Sequence, residues 1–354
     1  QRQMCIRDRL TAGAVVACMG LLLRFLPVGT IPTGGDEPSD SAVSSTEPAA
    51  SSVPEPEPEP VVETLRFSAT GDALIHSPIY KQAARRAANG QQYDFDYCYA
   101  QVAPFYAQQD INWINQETLC SDELEPSSYP CFSTPGDCAR ALYRAGIRVF
   151  SLSNNHTYDK GAAGLAATLR FWESMPEDVV TTGLWRGADD YSRIPLQTVN
   201  GVTIAYLSYT EHTNGIPTSS SMPANVIYTS QTDVIEQQVR AAHRQADFVI
   251  VGVHWGVEDS HTIVDGQRTL AQQLADWGAD VIVGTHPHVL QDAQWLSAAD
   301  GRQTFVAYSL GNFLSTQNRP DQLVGAILNL QLQKTTEPDG TVQLSLIHIS
   351  EPTR

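Results

Sequence analysis

The sequence predicts an α/β domain built on a mixed sheet or on two stacked sheets. Three observations predict it. Strand-like runs alternate with helical stretches across residues 61–343. Two of those runs, Phe248-Val-Ile-Val-Gly-Val253 and Val281-Ile-Val-Gly284, are unbroken by any polar residue, as strands buried on both faces are. Residues able to bind a metal recur where the runs end, and open α/β sheets place their ligands there.

The chain has 354 residues, 42% hydrophobic and 17% charged, enough for one large domain or two medium ones. Its net charge of −17 argues against nucleic acid or a polyanionic membrane surface as the main partner. Part of that charge belongs to an N-terminal tail. Met4-Cys-Ile-Arg-Asp8 and Leu344-Ser-Leu-Ile-His-Ile349 can be encoded by one DNA string and its reverse complement, as a sequencing adaptor read through in frame would do. Residues 1–8 and 344–354 are therefore expected to be foreign, with the natural ends lying beyond them. Cys5 and His348 are left out of the candidate site for that reason.

From Leu10 to about Ile31 the chain is apolar, broken by Arg24 and Pro27, so residues 9–31 suit a signal peptide core or a marginal membrane anchor. Residues 32–62 are rich in Pro, Ser and Glu, ending near Pro54-Glu-Pro-Glu-Pro-Glu-Pro60, and form an extended acidic linker with little to bury. Anchor, stalk and globular domain (63–343) are the layout of an extracytoplasmic protein anchored in a membrane and held at the cell surface.

Within the domain, strand-like runs are expected at 64–69, 110–115, 148–152, 203–208, 248–253, 281–284, 304–308 and 326–332. Helices are expected over 137–145, 162–169, 232–245 and 266–277. The 232–245 stretch carries Val234, Ile235, Val239 and Ala242 at helical spacing, so it should lie on a sheet. Cys98, Cys120, Cys131 and Cys138 lie in or near a Pro/Ser/Glu-rich loop at 121–137 and are disulfide candidates in an oxidising compartment, with all three connectivities open. No CxxC spacing supports a zinc site there.

Each strand end then contributes polar chemistry. Ala69-Thr-Gly-Asp72 closes the first run, with His76 four residues on; a Gly-Asp turn is common in its own right. Asn115-Gln-Glu117 closes the second. Ser151-Leu-Ser-Asn-Asn-His-Thr-Tyr-Asp-Lys-Gly161 follows the third and sets Asn154, Asn155, His156 and Asp159 in one loop. Such a loop is also an ordinary turn with satisfied side chains. Val253-His254-Trp-Gly-Val-Glu258 ends a buried strand in a histidine that is costly to bury unbonded. Gly284-Thr-His286-Pro-His288 holds two imidazoles in a fixed relation, as a preorganised metal site requires. Tyr308-Ser-Leu-Gly-Asn312 adds an amide. Nitrogen and oxygen ligands at so many strand ends fit a two-metal hydrolase for phosphoryl transfer. No GxSxG elbow and no Walker loop occurs.

On these motifs, from about Phe67 to Leu330, the chain resembles the CapA family of poly-γ-glutamate capsule biosynthesis proteins, which share the calcineurin-like metallophosphoesterase fold. The resemblance implies two stacked mixed sheets flanked by helices, a four-layer sandwich, with two divalent metal ions (Mn, Zn, Fe or Mg) at the strand ends. Asp72 and Glu117 would be carboxylate ligands, Glu117 bridging; Asn155, His254 and His286 would complete one metal, and His288 with Asp72 the other. His156, with Asp159, would stand over the substrate as acid or phosphate clamp. His76, Asn154, Glu258 and Asn312 are further candidates. Three positions depart from the wider pattern: Leu74 where the fold has a histidine, Glu117 where it has aspartate, and Asp259 where the family often has tyrosine. The expected function is a metal-dependent hydrolase or transferase of surface-polymer synthesis or attachment, with an anionic polymer or its membrane synthase as partner. The alternatives are a non-catalytic polymer-binding or synthase-docking module and a secreted phosphodiesterase or nucleotidase.

Overall fold

A computed structural model describes residues 58–348. The anchor-like segment, most of the linker, residues 1–8 and residues 349–354 lie outside the described residues.

In chain order the elements are β1 (Val61–Ala73), α1 (Ser77–Arg86), α2 (Asp96–Tyr99), α3 (Ala103–Tyr106), β2 (Ile111–Asn115), β3 (Cys120–Ser121) and β4 (Thr134–Pro135). They continue with α4 (Asp137–Ala145), β5 (Val149–Ser151), α5 (Gly161–Glu173), β6 (Val180–Thr182), β7 (Leu196–Val199), β8 (Val202–Thr210) and α6 (Thr232–His243). Last come β9 (Phe248–His254), α7 (Asp265–Trp277), β10 (Val281–Thr285), β11 (Leu290–Ser297), β12 (Gln303–Leu310), β13 (Asn312–Leu314), β14 (Ile327–Thr336) and β15 (Val342–His348).

The strands form two large mixed sheets. One runs β15-β14-β1-β2-β5-β6, with β13 also pairing β1; the other runs β11-β12-β10-β9-β8-β7. In the first, β1-β2-β5-β6 run parallel and β14 and β15 add antiparallel strands on one side; in the second, β12-β10-β9-β8 run parallel between antiparallel edges β11 and β7. Strand periodicity explains the layering. In β8, Ile204 and Tyr206 face the other sheet with Phe248 and Ile250 of β9 and Val281 and Val283 of β10; they meet Leu65, Phe67, Trp113 and Leu330 across the interface. The alternate residues Leu207, Val251 and Ile282 face outward onto α6 and α7 through Val239 and Leu274. The outer face of the first sheet is covered by α1, α4 and α5 through Ile79, Leu142 and Phe171. The result is the α/β, two-sheet sandwich expected, with the helices over 137–145, 232–243 and 265–277 close to their anticipated bounds.

Three features differ from expectation. Helix α1 starts directly after His76, marked by Ser77-Pro78 at its first turn and by Ile79 and Ala83 one turn apart on its buried face. The four cysteines are unpaired: Cys138 Sγ meets the Tyr99 hydroxyl at 3.1 Å in the core, Cys120 is buried, Cys98 half-buried and Cys131 exposed. Packing, not a disulfide framework, holds their loop. Residues 344–348 fall in β15, an edge strand paired with β14, which separates it from β1.

Gly71 lies where β1 passes Gly311. A Cβ there would come within 1.9 Å of the Gly311 carbonyl oxygen, a backbone atom that has no soft way to yield. Gly71→Ala should therefore cost about 3 kcal/mol or more by urea unfolding. A loss below about 1 kcal/mol would show that this approach is not tight.

Candidate metal centre

Asp72 is the last polar group of β1 and is fully buried. Its Oδ1 accepts a hydrogen bond from Asn115 Nδ2 at 2.8 Å. Its Oδ2 accepts from the His286 backbone N–H at 3.2 Å and lies 3.1 Å from His288 Nδ1. One carboxylate thus joins the tips of β1 and β2 in the first sheet to the β10–β11 turn of the second.

That turn is strained. His286 and His288 have φ of 98° and 58°, a region side chains other than glycine seldom adopt. Besides Asp72, the Asp259 N–H binds the Pro287 carbonyl at 2.9 Å and Asn312 Nδ2 approaches the His288 carbonyl at 3.3 Å. Asp259 is in turn held by Gln322 Nε2 at 2.5 Å and Arg319 at 2.9 Å. The surroundings thus over-determine a turn that presents two imidazoles inward.

His254 ends β9. Its Nε2 lies 3.1 Å from Asn155 Oδ1, 3.1 Å from His286 Nδ1 and 3.6 Å from Glu117 Oε1; its Nδ1 meets Thr285 Oγ1 at 3.0 Å. Glu117 Oε1 is 3.7 Å from His288 Nε2. Asp72, Glu117, Asn155, His254, His286 and His288 therefore converge on one small volume. They fall into two groups, Asn155–His254–His286 and Asp72–His288, with Glu117 between. Ligand atoms of Glu117, His286 and His288 all lie within 4.8 Å of one another.

The donor set fits a divalent cation. Both carboxylate oxygens of Glu117, and Asn115 Oδ1 beside it, are buried without a hydrogen-bond partner. Orphaned buried acceptors of that kind are costly unless a cation satisfies them. Carboxylate, imidazole and amide are donors that suit Mn, Zn, Fe or Mg.

The charges follow from burial. Desolvation, then the neighbouring Asp72 carboxylate, push the Glu117 pKa well above its usual range. Burial, then the other imidazoles, pull His254 well down and His286 to about 3. His288 is also pulled down by burial, but Glu117 and Asp72 outweigh that and lift it to about 10.

The remaining candidates take other roles. His156 Nδ1 is 2.8 Å from Asp159 Oδ2, which also accepts the Phe132 backbone N–H at 2.6 Å. Asn154 faces away from the cluster: its Oδ1 accepts the His156 N–H and its Nδ2 donates to the Gln116 carbonyl, both at 3.0 Å, so it ties two tips together. His76 Nδ1 lies 3.0 Å from its own Leu74 carbonyl while its ring meets Phe132 edge-on. Asn312 braces the turn with Nδ2. Glu258 is exposed and, among the described residues, has no ion-pair partner. Sequence reasoning missed Thr285, Phe132, His212 and Asn214. The Phe132 ring sits edge-on to His156 at 4.7 Å, His212 sits edge-on to His286 at 5.1 Å, and Asn214 Nδ2 lies 3.3 Å from His156 Nδ1.

The fold and site define an α/β sandwich that gathers a buried carboxylate–imidazole–amide cluster at its strand ends. The chain belongs to the family of bacterial capsule synthesis proteins, PGA_cap, whose pattern it matches over residues 66–317. It is 28% identical over 295 residues to the PGA biosynthesis protein CapA of Bacillus subtilis, covering 82% of this chain and 73% of that one. It is 29% identical over 298 residues to the capsule biosynthesis protein CapA of Bacillus anthracis, covering 81% and 68%. Among solved structures it is similar to a candidate 5′-nucleotidase of Staphylococcus aureus in complex with α-ketoglutarate, at 13% identity and a TM-score of 0.44. That match covers 82% of this chain and spans 55% of the nucleotidase.

Because a metal must displace the proton on His288, uptake at pH 7 should release about one proton or more. Affinity should accordingly rise with pH below about 10. Calorimetric titration with manganese in buffers of different ionisation enthalpy reads this directly, and binding with no proton release would contradict it. Glu117→Gln should weaken manganese binding by more than about 100-fold, beyond what losing an outer partner costs.

Proposed function

We propose that this protein is a metal-dependent hydrolase or transferase of surface-polymer synthesis or attachment, tethered outside the cytoplasmic membrane by residues 9–31. The observation that carries the catalytic part is the pair of orphaned, buried Glu117 oxygens between two sets of imidazole and carboxylate ligands. The polymer assignment is supported by family membership and by the names of the Bacillus relatives. The tether is supported by the apolar 9–31 segment and the acidic linker after it; no helix among the described residues is long and apolar enough to cross a membrane.

Two divalent cations held by Asn155, His254 and His286 and by Asp72 and His288, with Glu117 shared, would polarise an ester, phosphoryl or amide centre and stabilise its developing charge. The chain's own residues do the rest. Asp72 and Asn115 fix the geometry of the ligand cluster. Asp159 orients His156 through Nδ1 and leaves Nε2 to carry a proton to or from the reacting group. Phe132 packs against the same ring and limits water there.

A second reading has its own observation. His76 turns back on the Leu74 carbonyl and residue 74 is leucine, so the Asp72–His288 half of the cluster is short of ligands. A protein that binds one metal and grips an anionic polymer, or docks on its synthase, would look the same.

The test is metal content of the purified protein, then turnover of a generic phosphodiester with added manganese. His254→Ala and His288→Ala should each lose metal and turnover together. Asp159→Asn should keep its metal and lose about 10²–10⁴ in kcat. Full activity in either alanine variant would refute the catalytic assignment, and bound metal with no turnover would favour the binding module.

A further inference from the structure

We infer that His212 and Asn214, on the loop that leaves β8, bind an anionic oxygen of the substrate at the mouth of the metal centre. This rests on the reading of the cluster as a metal site and names the chemistry of what enters it.

The loop is placed with care. Thr213, between the two residues, is buried; its hydroxyl donates to the Ile216 carbonyl at 2.6 Å and meets the Tyr228 hydroxyl at 2.8 Å. Tyr228 hydroxyl also accepts the Thr218 N–H at 3.3 Å. Thr218 Oγ1 meets the Tyr158 hydroxyl at 2.9 Å, and Tyr158 accepts the Val226 N–H at 2.9 Å. Tyr158 belongs to the same loop as His156. A chain of hydroxyl bonds thus locks the loop after β8 to the loop that carries His156 and Asp159. Asn214 and Gly215 adopt φ of 48° and 75°, so the chain turns sharply there.

The lock sets His212 and Asn214 against two different partners. His212 packs edge-on to His286, a ligand candidate, and Asn214 reaches His156, the acid/base candidate. Both are exposed. The Asn214 backbone N–H approaches His212 Nδ1 at 3.5 Å, and among the described residues no hydrogen bond engages Nε2 of this exposed ring, which leaves it open to a ligand. Asn214 adds an amide whose Nδ2 lies 3.3 Å from His156 Nδ1; that nitrogen is already engaged by Asp159 at 2.8 Å, so the ring does not consume the amide N–H groups. Glu211, just before them, turns its carboxylate to the Gly256 N–H at 2.8 Å. The loop therefore offers N–H groups, not carboxylates, between the metal ligands and His156. Donors so placed suit an oxyanion whose remaining oxygen reaches the cluster, whether a phosphoryl group or a polymer carboxylate.

The experiment uses the full chain loaded with manganese and measures binding, not turnover. Calorimetric titration with inorganic phosphate and with γ-linked triglutamate identifies which oxyanion is taken. His212→Ala and Asn214→Ala should each weaken the preferred probe about tenfold or more with metal content unchanged. Asn214→Asp, which replaces donors with acceptors, should abolish binding, and His212→Gln should restore part of what alanine loses. Unchanged affinity in both alanine variants would overturn the inference, as would loss of metal from either. A wild-type protein that holds metal but binds neither probe defeats this inference alone, whereas one that holds no metal defeats the proposed function beneath it.

Discussion

The molecule depends on how a buried carboxylate is kept in place. Asp72 is sealed from water at the end of β1, and an ion there is tolerable only if its oxygens are fully engaged. It collects an amide donor from β2, a backbone N–H from the β10–β11 turn and an imidazole from the same turn. Those partners come from both sheets. Satisfying one carboxylate therefore fixes the relative position of the two layers where the ligands sit, and the hydrophobic interface behind it needs only to be of the right thickness. Glu117 is the complementary case, equally buried and left with open lone pairs. One acid builds the frame and the other leaves a demand that a cation would meet.

Much of this was legible in the chain because burial and chemistry share a period. Where an unbroken apolar run stops at His254 or at Thr285-His286, the run must be a buried strand and the polar residue must lie at its tip. The same logic found Asp72, Glu117 and Asn155. It failed where placement is set from outside the segment. His76 stands four residues after Asp72, yet Ser77-Pro78 starts a helix there and the ring folds onto Leu74. The four cysteines have spacings compatible with bridges, but Cys138 is drawn into the core by helix α4 and meets a tyrosine hydroxyl instead. The largely exposed strand β11 mixes polar and apolar residues without alternation, and its partner β12 alone gives it a place.

The loop after β8 shows the same limit more sharply. Nothing in Glu211-His-Thr-Asn214 has periodicity, and no local rule sets these side chains on a metal site. What does so is Tyr158, sixty residues before Thr218 in sequence and joined to it by a hydroxyl contact. The loop with Phe132 behaves alike: it is rich in Pro, Ser and Glu with no apolar pattern, yet it places a ring on His156 and an N–H on Asp159. Segments that lack a pattern of their own are free to be shaped by the site.

The strained turn at His286-Pro287-His288 ties these threads together. Two non-glycine residues at positive φ carry a penalty of about 1–3 kcal/mol each, and a flexible turn would relax. It does not relax because Asp72 holds one peptide N–H, Asp259 engages the Pro287 carbonyl, and Asn312 braces the next carbonyl. Asp259 carries the link outward to Gln322 and Arg319 on the segment before β14. The geometry of the imidazoles is thus guaranteed by hydrogen bonds from three separate stretches of chain. Such a turn pre-empts the reorganisation that a metal would otherwise have to drive, which is why the rigid sandwich and the polar site are parts of one design and not a scaffold with a site added.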